Sequence, residues 1–330
     1  MSKRHILVIR LSALGDVAML YPVIYNVLEG SKDVRITLLT RPQMAPIFAH
    51  LSRVNVVSVD TNGKHKGLLG ILRLYRSLSS LGITAVVDVH NVLRSRLLGH
   101  LFRLRGIPVH VLDKQREERN MLVRKNNKKR RVLIPVVERY RNVFMRAGVE
   151  ILSTDAPPIH PRSETPHGVG FAPFAGFLQK ELPWTTVAST VKKLSQEGFA
   201  VYLFSAPGKQ REQLKTLTDF PNVSVVSLSG GLKEELAFMA SLKIMISMDS
   251  ANGHLASLVN CPVISIWGAT HRDAGFAAQK VVHHIEISTK ELPCRPCSAF
   301  GSAPCHRGDL ACLNRIEVDA IVRAVNQAVL

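Results

Sequence analysis

The chain has 330 residues, of which 46% are hydrophobic, enough to bury one or two sizeable cores. Lysine and arginine (43) exceed aspartate and glutamate (25), for a formal net charge of +18. This excess indicates partners that carry phosphates, such as nucleic acid, anionic lipid or a phosphorylated substrate. No stretch is long and apolar enough to span a bilayer, and the apolar run after His5 is too short for a signal peptide. We therefore expect a cytoplasmic protein.

The first predicted element is a buried strand at residues 6–10, followed by a turn and a helix at residues 17–28. In an open α/β sheet such a turn faces the crevice where ligands bind, and helix amides point into it. Asp16 lies at this turn, either as the N-cap of the helix or as a carboxylate that takes a proton from a bound hydroxyl. Gly15 permits unusual dihedrals or a close approach of a ligand to the backbone.

Strands and helices alternate through the rest of the first half. The patterns predict strands at 34–40, 54–59, 85–88 and 109–112, with helices at 42–50, 67–81, 93–104 and 135–147. This alternation is typical of a doubly wound parallel sheet.

Two basic segments stand out in this half. The predicted helix at 93–104 has arginines at its borders and one apolar face, formed by Leu93, Leu97, Leu101 and Leu104. Such a face most often packs on a core, but a basic border also suits an anionic membrane surface. A second basic cluster follows, either as a solvated loop or as a contact for a phosphorylated acceptor. It comprises Arg124, Lys125, Lys128, Lys129, Arg130 and Arg131.

A segment with four prolines at residues 153–166 predicts a domain linker. After it the alternation restarts, with strands at 169–172, 199–205, 223–226, 244–248 and 263–267 and helices at 184–197, 210–218, 233–241 and 250–258. We predict two doubly wound Rossmann-like domains that face a central cleft. They cover residues 1–155 and 168–314, with the linker at 156–167 and a last helix at 315–330.

Several residues of the second half are candidates for phosphate binding. Asp249 and Ser250 lie where a strand becomes a helix, and free helix amides favour a diphosphate there. Asp249 could instead orient the turn, and His254 could be an ordinary core histidine. Lys180 could meet a phosphate as a mobile point charge, or it could be a surface lysine.

Four of the five cysteines lie near the end of the chain, at Cys294, Cys297, Cys305 and Cys312. Their spacing is compatible with a structural zinc site or with one or two disulfides. Disulfides are less expected in a cytoplasmic chain.

Taken in order, several stretches resemble glycosyltransferase family 9, the heptosyltransferases of lipopolysaccharide core assembly. The matching pieces are Arg10-Leu-Ser12-Ala-Leu-Gly15-Asp16 with Pro22, Lys180 with Pro183, Leu228-Ser-Gly230, Asp249-Ser250 with His254, Pro262, and Gly268-Ala-Thr270. The match runs through nearly the whole chain, which makes it more specific than any single motif.

The resemblance implies a GT-B fold, with an acceptor-binding N-terminal domain and a nucleotide-sugar-binding C-terminal domain. It implies inverting transfer from ADP-heptose to a phosphorylated lipopolysaccharide core or lipid A acceptor, with Asp16 as the general base. Expected donor contacts are Lys180, Gly230, Asp249, Ser250, His254 and Thr270, and expected acceptor contacts are Ser12, Gly15, Asn91 and Arg94.

This scheme requires no cofactor and no catalytic metal. The protein would act at the inner face of the cytoplasmic membrane, as a peripheral protein on an anionic glycolipid. By analogy, the last helix would return to the first domain.

Three alternatives stay open at this point. Another nucleotide-sugar could be the donor. A polyanion-binding or nucleic-acid-binding protein would explain the charge, but interleaved aromatics and recognisable motifs are absent from the sequence, so we expect no nucleic-acid partner. A dinucleotide-dependent oxidoreductase would explain the sheets, but the turn at residues 11–16 has one glycine and lacks the GxGxxG pattern.

Overall fold

The computed structural model describes residues 4–329, which form two compact units. Unit 1 comprises the chain up to Lys114 together with Ile134–Pro157. Unit 2 comprises Gln115–Leu133 and the chain from Pro158 onwards. The boundary between Pro157 and Pro158 lies inside the predicted linker. The segment Gln115–Leu133, which we assigned to the first domain, belongs to unit 2, and the predicted domain bounds are corrected accordingly.

A parallel five-stranded sheet forms the centre of unit 1. Its strands are β1 (Arg4–Ile9), β2 (Val34–Thr40), β3 (Val54–Ser58), β4 (Ala85–Asp88) and β5 (Val109–Val111), in the order β3-β2-β1-β4-β5. The side chains of Ile6 and Ile9 in β1 are 0% exposed. A central strand covered on both faces reads as a continuous apolar run, which is why its pattern was visible in the sequence.

The helices of the first part of the chain are α1 (Leu14–Ala18), α2 (Tyr21–Gly30), α3 (Gly67–Ser79), α4 (Leu93–Arg103), α5 (Arg116–Val123, in unit 2) and α6 (Val136–Arg146). A 3₁₀ helix covers Pro42–Phe48. The single helix predicted at 17–28 is two helices. Pro22 lacks an amide N–H and its ring would clash with the carbonyl of Ala18, where α1 ends.

Unit 2 contains a parallel six-stranded sheet. Its strands are β6 (His167–Ala172), β7 (Val201–Leu203), β8 (Val223–Val225), β9 (Leu242–Met248), β10 (Val263–Trp267) and β11 (Val281–Glu286), in the order β11-β10-β9-β6-β7-β8. We did not predict β11. It is an edge strand that contains two histidines and no fully buried residue, so it lacks the apolar run of the central strands.

The remaining helices belong to unit 2: α7 (Trp184–Gln196), α8 (Lys209–Lys215), α9 (Gly231–Ser241), α10 (Ala251–Leu258), α11 (Ala311–Asn314) and α12 (Val318–Val329). Short 3₁₀ helices cover Leu178–Lys180 and Arg272–Ala274. Helix α12 packs on α7, β9 and β11, with Ile321 and Val325 0% exposed in the core of unit 2. The predicted return of this helix to the first domain stays a prediction.

Strand order reverses once in each sheet. In unit 1 the chain passes from β1 to the neighbours β2 and β3 on one side and to β4 and β5 on the other. In unit 2 the corresponding reversal lies between β6 and β9. Loops that leave neighbouring strands at such a point diverge and open a crevice at the carboxyl edge of the sheet. The loops after β1, β4, β6 and β9 are therefore where ligand sites are expected.

Among residues 4–329, no helix combines the length and the apolar character needed to cross a bilayer.

Candidate functional site

The turn after β1 carries the predicted catalytic carboxylate. Asp16 is the third residue of α1, and the N-cap position belongs to Ala13, so the N-cap interpretation of Asp16 is wrong. The backbone N–H of Ala13 donates to Asp16 Oδ2 at 3.2 Å, and the guanidinium of Arg10 forms an ion pair with the same oxygen. Within the described part of the chain Oδ1 makes no such contact, so it can accept a proton. Gly15 is buried beside it and Ser12 is half-buried.

Arg10 fixes the orientation of that carboxylate. Its side chain is only 9% exposed. One guanidinium nitrogen donates to the carbonyl of Val89 at 2.6 Å, and the group lies 5.8 Å from the ring centre of Tyr140. The Tyr140 hydroxyl in turn donates to the backbone oxygen of Asp16 at 3.4 Å. The turn after β1 is thereby tied to the loop after β4 and to α6.

The loop after β4 places a histidine that our sequence reasoning passed over. Asp88, fully buried at the end of β4, accepts hydrogen bonds from the backbone N–H groups of His90 (3.0 Å) and Asn91 (2.8 Å). His90 Nδ1 is buried and has no hydrogen-bond partner among the described residues. Burial, with the nearby charge of Arg10, lowers the pKa of His90 to about 4. The imidazole is therefore neutral at pH 7 and can bond a ligand hydroxyl. Its position just after a buried strand at the reversal point was the available signal.

Two of the predicted acceptor contacts have structural partners of their own. Asn91 has a φ of +48°, donates from its amide to the Leu112 carbonyl at 2.7 Å, and accepts from Arg96 Nε at 2.6 Å. Arg94 donates to the carbonyl of His65 at 2.5 Å. Both residues hold the loops at this edge in place, and a direct contact with an acceptor stays a prediction.

Cations gather at the same edge of unit 1. Arg41 follows β2, and its Nε is buried without a hydrogen-bond partner in the described part of the chain. The charges of Arg10, Lys114 and Arg41 all act on His90, in the direction that lowers its pKa. This edge of the sheet is therefore suited to an anionic ligand.

In unit 2, three of the predicted donor residues come together directly. Lys180 Nζ lies 3.0 Å from Asp249 Oδ2, and the Thr270 hydroxyl donates to that oxygen at 2.7 Å. These residues follow β6, β9 and β10, three adjacent strands of the sheet. The side chains of Lys180 and Asp249 are 14% and 12% exposed, so the pair is largely shielded from water. Because β6 and β9 are the strands between which the order reverses, the pair also lies at the point of strand reversal.

Two residues missed in the sequence support this group. Gly301 has a φ of +82°, and a Cβ there would lie 2.5 Å from Lys180 Cδ, so only glycine leaves room for the lysine stem. Arg295 is 0% exposed and donates to the carbonyls of Gly268 (2.7 Å) and Thr270 (3.2 Å). In the sequence Arg295 lies inside the Cys-Arg-Pro-Cys segment, which we interpreted only through its cysteines.

Ser250 and His254 lie at the start of α10. Ser250 occupies the N-cap position without a side-chain capping bond, and its hydroxyl lies 3.2 Å from that of Ser247. The first N–H groups of α10 are thus not satisfied by the cap side chain, which is the arrangement that binds anions at helix N-termini. His254 is half-buried in the same helix.

Gly230 lies apart from this group. It precedes α9 and follows β8, an edge strand separated from β6 by β7. Its N–H donates to the carboxylate of Glu234 at 2.5 Å. A contact between Gly230 and a donor stays a prediction. For its N–H to bind the donor, the hydrogen bond to Glu234 would have to break.

The structure groups the late cysteines neither as a metal site nor as disulfides, so both alternatives stay predictions. All five thiols are free. In the part of the chain that the structure describes, no group of three or more His, Cys, Asp or Glu side chains is arranged to hold a metal ion. Burial raises the pKa of Cys312 to about 11 and also raises that of Cys297.

The second basic cluster is more than a solvated loop. Lys128 Nζ donates to the carbonyls of Cys294 and Pro296, both at 2.6 Å, and Arg130 donates to the carbonyl of Pro293 at 2.8 Å. At least these two cations hold the cysteine-containing segment of unit 2.

Comparisons with known proteins point to one family. The family model for glycosyltransferase family 9 (heptosyltransferase) matches residues 71–300. Lipopolysaccharide heptosyltransferase 3 of Escherichia coli is 24% identical over 278 residues, covering 78% of this chain and 81% of that protein.

Solved structures show the same fold. The glycosyl transferase family 9 structure from Veillonella parvula DSM 2008 superposes with a TM-score of 0.76 at 16% identity, covering 100% of this chain and 98% of that one. The E. coli heptosyltransferase WaaC has TM-scores of 0.72 with ADP and 0.71 with ADP-2-deoxy-2-fluoro heptose, at 17% identity, covering 98% of this chain and 99% of that one.

Proposed function

The chain belongs to glycosyltransferase family 9 (heptosyltransferase), and on this premise we propose that it transfers heptose from ADP-heptose to a phosphorylated lipopolysaccharide core or lipid A acceptor. Membership rests on a family model that matches residues 71–300, and the chain is a glycosyltransferase of GT-B fold. The donor proposal is supported by WaaC, which was solved with ADP and with a fluorinated ADP-heptose. The acceptor proposal is supported by the curated relative, a lipopolysaccharide heptosyltransferase.

One observation carries the donor side: the Lys180, Asp249 and Thr270 group beside the N-terminus of α10. A leaving nucleoside diphosphate gains negative charge as the sugar departs. The ammonium of Lys180 and the first N–H groups of α10 can stabilise that charge. Asp249 holds the lysine until the diphosphate arrives, and Thr270 holds Asp249.

On the acceptor side, Asp16 is the proposed general base. An acceptor hydroxyl gives its proton to Asp16 Oδ1 while its oxygen forms a bond to the anomeric carbon. The bond from that carbon to the diphosphate oxygen breaks on the opposite face, so the configuration inverts. The ion pair with Arg10 and the hydrogen bond from Ala13 hold Oδ2, so only Oδ1 is presented to the hydroxyl.

The cations at the same edge support a phosphorylated acceptor. Arg10, Arg41 and Lys114 create a positive field, and neutral His90 offers a hydrogen-bonding nitrogen to a sugar hydroxyl. We place the reaction at the inner face of the cytoplasmic membrane, with the protein bound there peripherally.

A first experiment compares nucleotide-sugar donors, and a second tests Asp16 as the base. A thermal-shift panel of ADP-, UDP- and GDP-sugars should show a selective shift with ADP-heptose. A ligand at a hundred times its Kd adds about 2.7 kcal/mol of stability. A selective shift with another nucleotide-sugar would keep the transferase and change the donor, and a response to polyanions alone would contradict the proposal.

Asp16→Asn should then lower kcat by about 10²–10⁴-fold while the protein still folds, because the amide keeps the shape but cannot take the proton. Asp33→Asn is the matched control, since Asp33 precedes β2 at the amino edge of the same sheet and should leave kcat unchanged. Near-normal turnover of Asp16→Asn would remove the base assignment.

A further inference from the structure

Unit 1 exposes large apolar side chains where two neighbouring helices begin. Leu68 and Leu69, in the first turn of α3, are 68% and 77% exposed, and Leu72 is 39% exposed. Leu93, the first residue of α4, is 75% exposed. We refer to these four residues as the leucine patch. Other residues of the same helices, such as Ile71 and Leu98, fill the core, so the patch is not required for packing unit 1.

The two helix starts are held to each other through His65. At Gly70 in α3, a Cβ would lie 2.3 Å from the carbonyl carbon of His65, so the loop before α3 packs directly on that helix. The carbonyl of His65 accepts a hydrogen bond from Arg94, the second residue of α4, at 2.5 Å. The helix starts that carry the leucines are therefore joined by loop packing and by a hydrogen bond.

The chain segment that carries the patch is strongly basic. Residues 61–106 contain eight lysines and arginines and a single acid, Asp88, which is 0% exposed. Six of these cations lie within four residues of a patch leucine in the chain: Lys64, Lys66, Arg73, Arg76, Arg94 and Arg96. The other two, Arg103 and Arg105, flank Leu104 at the far end of α4. The carboxylate of Asp60, just before this segment, accepts from the backbone N–H groups of Asn62, Gly63 and Lys64.

We propose that the leucine patch docks on an anionic lipid surface, with the leucines in the acyl boundary and the surrounding cations on lipid phosphates. Exposed apolar residues within a basic rim are the combination that such a surface binds. A second copy of this chain is a poor occupant, because two patches of the same charge would repel each other. A nucleic acid is also a poor fit, because Tyr75 of α3 packs edge-on against Phe102, 5.1 Å away, instead of offering its ring to a base.

The leucine patch also lies at the same edge of the sheet as the proposed general base. The first turns of α3 and α4 follow β3 and β4, so they lie at the carboxyl edge of the sheet, as Asp16 does. Docking through Leu68 and Leu93 would bring this edge to the membrane. This part of the inference rests on the proposed function, whereas the docking itself does not.

The experiment measures sedimentation of the full chain with vesicles. Wild-type protein should bind vesicles of phosphatidylcholine mixed with phosphatidylglycerol and should not bind phosphatidylcholine alone. The variant Leu68→Ser/Leu69→Ser/Leu93→Ser should bind the anionic vesicles at least about tenfold more weakly, because apolar burial adds to the charge attraction. The control is Leu104→Ser, which is 71% exposed at the far end of α4, about 16 Å from Leu93, and should bind like wild type.

Three outcomes would overturn the docking surface: equal vesicle binding by the triple variant and wild type, binding of wild type to neutral vesicles only, or a wild-type dimer that the triple variant loses. Sedimentation requires no nucleotide-sugar, so it is independent of the enzyme assay. If transfer fails on every acceptor while the vesicle results hold, the proposed function is wrong and the docking surface stands. If transfer to a delipidated acceptor succeeds while the triple variant still sediments normally, only the docking surface is wrong.

Discussion

The contribution of the Lys180–Asp249 ion pair to folding stability can be measured separately from its proposed contribution to donor affinity. At 3.0 Å and an effective dielectric constant of about 20, the gross attraction is about 5–6 kcal/mol. Lys180→Met removes it and leaves a mostly buried carboxylate whose remaining side-chain partner among residues 4–329 is the Thr270 hydroxyl. Breaking a buried pair from one side costs about 3–5 kcal/mol, and the remaining exposure of this pair favours the lower end.

Thermal unfolding should report this cost. A loss of about 3 kcal/mol corresponds to a fall in Tm of about 6–12 °C for a domain of this size. The double variant Lys180→Met/Asp249→Asn removes both charges, so it should be more stable than the sum of the single variants implies, by at least about 1.5 kcal/mol. Calorimetric titration with ADP-heptose should nevertheless show weakened binding in the double variant, because the ammonium that we propose to meet the diphosphate is absent.

An exposed ion pair of the same unit is the matched control. Lys193 and Asp319 join α7 to α12 at 2.6 Å, with side chains 42% and 59% exposed. Their coupling in the same cycle should be much weaker than that of Lys180 and Asp249, because solvent screens the charges. Additive stabilities for Lys180 and Asp249 would refute the buried ion pair, and wild-type affinity for ADP-heptose in the double variant would refute the role of Lys180 in donor binding.

Three further predictions follow from single contacts. Gly301→Ala should cost at least about 1 kcal/mol and raise the KM for the donor, because a Cβ at φ +82° collides with the Lys180 stem; wild-type kinetics would contradict this. The pKa of His90 lies at about 4, below its ordinary 6.5, so its contribution to stability is full above pH 6.5 and is lost as pH falls towards 4. Urea unfolding across that range should show a shallower pH slope for His90→Asn than for wild type. Lys128→Met should lower stability by about 2 kcal/mol through two lost hydrogen bonds, whereas exposed Lys125→Met should have no effect, as measured by chemical unfolding.

For the second basic cluster, charge alone did not predict the role that the side chains have in the structure. From charge alone, we predicted that Lys128 and Arg130 either stay solvated or serve a phosphorylated acceptor. In the structure both donate to backbone carbonyls next to the cysteines, within unit 2. Neutralising them should therefore change stability before it changes the use of an acceptor, and kinetics must be compared at matched folded fractions.

The local pattern of the sequence determined the architecture. Strands β2, β4 and β10 were predicted with the bounds that the structure shows, because strands buried on both faces must be apolar throughout. The family and the GT-B fold were also predicted, and both are confirmed. The turns at Asp16 and Asp249 were singled out in the sequence because each directly follows a predicted buried strand, where ligand sites are expected in an open α/β sheet.

Only the tertiary structure decided which distant residues meet. Lys180 reaches Asp249 and Thr270 because β6, β9 and β10 are adjacent in the sheet, an order that strand periodicity does not encode. The close approach of Gly301 to Lys180 has the same origin, since it joins loops far apart in the chain. Periodicity and capping depend on neighbours within a few residues, whereas these contacts depend on the packing of whole elements, which leaves no local signal.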